Sequence, residues 1–362
     1  MNFTKSGLLP IFAILLCVLF FTPSISKAEG RNWDNGVPEY KEAKVTIRKE
    51  GPKLIFSDSP ENVTQNGVMY RDTVEGPVRL FFHHVNKTPF NQRLAVVFKR
   101  TTSRPARVTL KEMGISEPRQ DWLKAGKEAE QRYYKAGQRN NSFRLIRIFD
   151  LLEHKGNPTV LHPGDLVTGI VDVTFDRPVE VSVMMIPVKA DLSLSLEAYG
   201  ILPPDNDGQH VLRGTFEEAN RHVSLDEPFH TQGRAVWCIK LADDQLDPYI
   251  RGIDATTGKK VVNYGNYGVM YDVTIPTVGK HDTLVRFNPM GGEYAGAGIF
   301  GVAGEKDYRI NIPSGSTYFG QVGFDGTTEV IGKIPAGKTG VLLFSPPGSS
   351  NLPVRIFLER KS

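Results

Sequence analysis

Cysteine is nearly missing from this chain. Of the two in 362 residues, Cys17 lies in an apolar N-terminal run and Cys238 stands alone far downstream. Without the N-terminal run no internal disulfide is available, so apolar burial must stabilise the fold, and a chain of this length buries enough. Cys238 sits in Arg234-Ala-Val-Trp-Cys-Ile-Lys-Leu241, a strand-like stretch without a histidine, and reads as a packed thiol rather than a reactive one. An excess of one charge sign is also lacking. There are 44 Lys and Arg against 40 Asp and Glu, dispersed and without a basic run, which gives no support to nucleic-acid binding. Beyond residue 21 no long apolar run remains, so no transmembrane segment is expected in the mature chain.

Reaction-centre motifs are absent as well. The sequence has no Gly-x-Ser-x-Gly elbow, no His-Glu-x-x-His and no phosphate-cradling Gly-x-x-x-x-Gly-Lys-Ser/Thr loop. Its eight histidines (83, 84, 154, 162, 210, 222, 230 and 281) include no His-x-His pair. His83 and His84 are adjacent on a strand and must point to opposite faces, so they read as partly exposed sheet residues. Asp205-Asn-Asp-Gly208 has the look of a calcium loop but lacks its ladder of oxygen ligands and reads as a turn. No metal ligand set and no cofactor is expected.

The first residues carry the clearest positive signal. Lys5, an apolar run from Leu8 to Phe21, then Pro23-Ser-Ile-Ser-Lys-Ala28 have the order of a secretory signal peptide, with small Ser26 and Ala28 before a cleavage point. Residues 1–28 are expected to be removed. The loss of Lys5 and Lys27 leaves 42 basic against the same 40 acidic residues. The expected location is extracellular or at the cell envelope.

What remains reads as all-β: two sandwich- or jelly-roll-like domains, residues 29–200 and 201–362. Pro77 to Asn86, Arg93 to Lys99 and Arg107 to Leu110 alternate in the strand period. Leu166 to Phe175 and Val179 to Met185 do the same, and Arg177-Pro178 between them predicts a hairpin turn. One helix is predicted over 118–136, with Ser116 as N-cap, Gly137 as stop, and Trp122, Ala129, Tyr133 and Ala136 on its apolar stripe. A short helical turn is predicted at Asp191 to Tyr199. From Gly252 onward glycine is frequent and short strands alternate with turns, the pattern of a sandwich.

The most distinctive stretch is Val262-Asn-Tyr-Gly-Asn-Tyr-Gly-Val269. Exposed tyrosine faces stack on sugar rings, and asparagine offers both a donor and an acceptor to hydroxyls. Asn263, Tyr264, Asn266, Tyr267, Tyr271, Asn288, Tyr294 and Tyr318 are therefore the candidate ligand-binding residues, set against the alternative that the asparagines shape turns and the tyrosines pack in the sandwich. The favoured function is an exported, non-enzymatic binding or structural protein of the cell surface or envelope, with a wall glycan or other envelope component as partner. One alternative is an enzyme acting on extracellular polysaccharide through paired carboxylates such as Asp244, Asp247 or Asp254. Another is a metal-handling protein in which scattered histidines converge.

Six words resemble a group of secreted bacterial proteins labelled by an associated copper-amine-oxidase N-terminal-like, stalk-type domain. They are Phe56-Ser-Asp-Ser-Pro-Glu61, Gly76-Pro-Val-Arg-Leu-Phe-Phe-His-His-Val-Asn86, Leu212-Arg-Gly-Thr-Phe216, Val262 to Val269, Asn288-Pro-Met-Gly-Gly-Glu-Tyr-Ala-Gly-Ala297, and Phe344-Ser-Pro-Pro-Gly-Ser-Ser-Asn-Leu-Pro-Val354. The resemblance spans about residues 50 to 360. It implies no oxidase: the quinone-forming Asn-Tyr-Asp/Glu motif is replaced by Asn-Tyr-Gly at Tyr264 and Tyr267, and the copper-binding His-x-His is missing.

Overall fold

A computed structural model describes residues 33, 36–136, 141–205 and 211–362. The expected signal peptide, Gly137, the turn at Asn206 to Gly208, and His210 lie outside the described residues.

The chain is all-β, and the described residues form three sheets and two helices, α1 (Trp122–Ala136) and α2 (Leu192–Ala198). The largest sheet has 12 strands. Its centre is a pair of long antiparallel strands, Gly67–Asn86 and Leu166–Pro187, flanked by Gln92–Arg100 on one side and Lys53–Ser57 on the other. Val167, Val171, Val173 and Phe175, predicted to share a face, are all buried in one core with Phe82 and Phe98. The other two sheets, of seven and five strands, face each other as a sandwich. Between them lie Val273, Phe300, Leu342 and Phe344 from one sheet, and Ile239, Phe287, Ile356 and Leu358 from the other. Cys238 is fully buried in the strand Val236–Leu241, and burial pushes its thiol up to about 12, which makes it inert.

The hairpin predicted at Arg177-Pro178 is instead a bulge within one strand. Phe175 faces Gly76 and Val179 faces Val74, so three residues oppose one and the register shifts there. A bulge tolerates proline because the missing N–H falls outside the ladder. Asp176 holds the bend by accepting the Arg107 N–H at 2.6 Å.

Hydrogen-bonded strands cross the division expected near residue 200. Tyr40–Glu42 pairs in parallel with Val236–Leu241, and Val45–Glu50 pairs with Asn220–Leu225. Lys53–Ser57 joins Gly67–Asn86 to Arg213–Phe216. Tyr40–Glu42 and Val45–Glu50 thus run in the sheets of the second half, while Arg213–Phe216 joins the large sheet of the first.

The predicted helix exists but starts later than Ser116. Asp121 caps it, its carboxylate accepting the Lys124 N–H at 3.0 Å. Ser116 is engaged elsewhere, accepting from Thr168 N. The helix packs on Ala106–Ile115 and Leu166–Pro187 with one side and reaches Gly296–Val302 with another, so it joins the large sheet to the sandwich. At Gly126 the backbone carbonyl of Gly348 lies where a side chain would begin. The short turn is present as α2, capped by Asp191.

Candidate functional site

The six words that carry the family resemblance are scattered along the chain but meet in space where the large sheet abuts the sandwich. The edge strand Lys53–Ser57 brings Phe56, Ser57 and the loop to Glu61 against the strand bearing His83 and His84. His84 Nδ1 lies 2.9 Å from the Pro60 carbonyl, and its Nε2 lies 2.9 Å from Ser57 Oγ. A carbonyl only accepts, so Nδ1 carries the proton and the Ser57 hydroxyl donates to Nε2. On the opposite strand face His83 contacts Ser349 Oγ at 3.2 Å. Both rings are buried, not partly exposed as the sequence suggests. Burial lowers His83 to about 3 and His84 to about 4, so both are neutral.

Arg213, from the third word, is fully buried and holds this corner. It donates to the carbonyls of Ser59, Met69 and Leu202, to Asp254 at 3.0 Å, and to Thr256. Tyr267 stacks on Phe56 at 6.3 Å and donates to the Ser350 carbonyl at 2.8 Å. Ser350 in turn hydrogen-bonds both the N–H and the carbonyl of Ala295.

The face of this junction is acidic and aromatic. Asp205 accepts the Glu61 N–H at 2.7 Å, and Ser59 Oγ accepts the Asp205 N–H at 3.0 Å. Asp58, Glu61 and Asp205 crowd one another. Burial, then repulsion by Glu61 and Asp205, raises Asp58 well above the ordinary carboxylate range, and burial with Asp205 raises Glu61. Tyr267 lies within the field of Asp58, Tyr249 and Glu61, which together with burial push its phenol up. Tyr249 and Tyr264 meet edge to face at 5.7 Å. All six residues are half-buried.

Of the eight predicted ligand residues, this surface takes in Tyr264 and Tyr267. Five others are buried and committed inward, so they present nothing to a ligand. Asn263 brackets its own loop, bonding both the N–H and the carbonyl of Tyr267. Asn266 adopts φ +53° and bonds Ile250 N and Tyr271 Oη. Tyr271 donates to Asp247, and Asn288 spans Asp325, Thr327 and Arg355. Tyr294 packs on Phe287 at 4.6 Å. Tyr318 is exposed on a different loop.

The acids named for an enzymatic reading do not pair across a cleft. Asp247 is sealed with Tyr271 and Asn266 near Arg221, Asp254 is sealed against Arg213, and Asp244 is exposed. Among the described residues no three His, Cys, Asp or Glu side chains are placed to hold a metal ion. Asp58, Glu61, Asp205 and Tyr249 escaped the sequence reading because they lie up to 191 positions apart. Asp58 and Glu61 lie in the word Phe56 to Glu61, Asp205 opens the segment read as a turn, and Tyr249 carries no signal.

No protein-family model matches the chain, and no curated protein matches it. Among solved structures it is similar to the CUB1-EGF-CUB2 domains of rat MASP-1 at 9% identity and a TM-score of 0.18, covering 82% of this chain and 99% of that one. The N-terminal CBM22-1-CBM22-2 tandem of Paenibacillus barcinonensis Xyn10C gives 10% identity and 0.14, covering 87% and 98%. Lac15 from a marine microbial metagenome gives 12% and 0.15, covering 87% and 64%. Likenesses this small carry no argument about function.

Proposed function

We propose that this is an exported protein that binds a glycan of the cell envelope, using the surface formed by Tyr249, Tyr264, Tyr267, Asp58, Glu61 and Asp205. The observation that supports it is the convergence of three carboxyl groups and three tyrosines, all half-buried, from segments distant in sequence. Tyrosine rings offer flat apolar faces to sugars, and carboxylates accept from hydroxyls. The N-terminal run and the inert lone thiol agree with export. The test is retention of the full chain on envelope fractions before and after Tyr264→Ala and Glu61→Gln. Both substitutions should weaken retention while thermal unfolding stays unchanged; undiminished retention by a folded double variant sinks the proposal.

One observation favours a second reading, catalysis on an extracellular polysaccharide. Burial, with the charges of Glu61 and Asp205, raises the Asp58 carboxyl well above the ordinary carboxylate range, and a carboxyl that holds its proton is what a general acid requires. Release of reducing ends from wall polymers, abolished by Asp58→Asn, separates turnover from binding.

A further inference from the structure

We infer that the outer face of α1 forms a second binding site, for an anionic polymer chain. Lys124, Glu128, Gln131 and Lys135 stand at i, i+4, i+7 and i+11 and so share one face of the helix. Eleven residues of helix give that stripe a length of about 16 Å. Opposite it run the strand Tyr308–Ile312 and the loop 313–317, and between the two walls lies an open trough. One end holds about 460 Å³ and the other about 400 Å³. Gln131 and Asn311 line both ends, and their hydrogen bond at 2.9 Å crosses from wall to wall as a bar between the two hollows, over which a polymer chain would pass.

The trough is built rather than incidental. Lys127 is buried beneath it and its ammonium donates to the carbonyls of Pro313, Ser316 and Thr317 at 2.5, 2.7 and 3.2 Å, which fixes the loop against the helix. Its charge balance is cationic. The one acid on the lining, Glu128, is neutralised by ion pairs to Arg119 and Arg132. Lys124, Lys135 and Arg309 are exposed, line the trough, and have no ion pair among the described residues. Three unneutralised cations beside amide and hydroxyl groups match a chain with regularly spaced phosphate or carboxylate groups. The near-neutral total charge hides this patch, because the balancing acids are dispersed over the rest of the chain.

The test is titration of the full chain with inorganic polyphosphate, polygalacturonate and uncharged dextran. Wild type should bind at least one of the two polyanions, more weakly as salt rises, and should not bind dextran. Binding of polyphosphate alone assigns phosphate groups, and of polygalacturonate alone carboxylates; either supports the site. The triple variant Lys124→Ala, Lys135→Ala, Arg309→Ala should lose about tenfold or more in affinity at about 0.15 M salt, with unchanged thermal unfolding because all three are exposed. Replacing both lysines by arginine should preserve binding. Tyr264→Ala should leave it untouched, so the failure of either site is distinguishable from that of the other. Undiminished polyanion binding by the triple variant, dextran binding that the triple variant loses too, or no polyanion bound by wild type would each overturn the inference.

Discussion

The phenol of Tyr267 donates to the carbonyl of Ser350, 2.8 Å away and 83 positions later in the chain. This bond ties the Asn-Tyr-Gly loop to the loop that also supplies Ser349 to His83. Tyr267→Phe keeps the stack on Phe56 but strands that carbonyl, and should cost about 1 kcal/mol in urea unfolding. An unchanged midpoint would show that water replaces the phenol.

Arg213 is the larger dependency. Its guanidinium serves three carbonyls and the buried Asp254 carboxylate. Arg213→Met leaves an uncompensated buried charge and should destabilise by about 3–5 kcal/mol. Adding Asp254→Asn should recover part of the loss, measured by denaturant unfolding of the single and double variants.

Glu130 on α1 is fully enclosed against the sandwich and makes one hydrogen bond, accepting the Ala297 N–H at 3.1 Å. Burial raises its carboxyl well above the ordinary range. In the folded state it keeps its proton where the unfolded chain has lost it. Its contribution therefore falls as pH rises from the unfolded carboxyl value toward the folded one. Glu130→Gln removes this dependence. Stability curves between about pH 4 and pH 8 should show the variant gaining on wild type as pH increases. Parallel curves for the two proteins would contradict the assignment.

Gly126 admits the backbone of Gly348 against the helix. A methyl group there meets a main-chain carbonyl that has no rotamer to escape into. Gly126→Ala should lower stability by about 1–3 kcal/mol despite the gain in helix propensity. Thermal melts decide the sign.

The strands were legible because apolar alternation is a local code. Pro77 to Asn86, Arg93 to Lys99 and Leu166 to Phe175 follow directly from it; helical spacing likewise places the body of α1, although Asp121 and not Ser116 caps it. Arg177-Pro178 misled because a bulge and a hairpin turn use the same residue types, and only the partner strand tells them apart. Asn263 faces inward because a tight loop must satisfy its own N–H groups, and its side chain takes that of Tyr267; Asn266 faces inward to accept from Ile250, outside the loop.

By itself, then, the sequence determined an all-β chain with a helix at α1, a buried lone thiol and no local catalytic motif. These follow from period, composition and neighbours, which act over a few residues. Tertiary structure alone decided that Tyr40–Glu42 and Val45–Glu50 enter the sheets of the second half. It also decided that Asp58, Glu61 and Asp205 share a surface with Tyr264 and Tyr267, and that Lys135 lies by Arg309 while Lys124 lies by the loop 313–317. Those relations depend on which edges pair and how sheets stack, and that is set by burying the whole apolar surface at once rather than by any single segment.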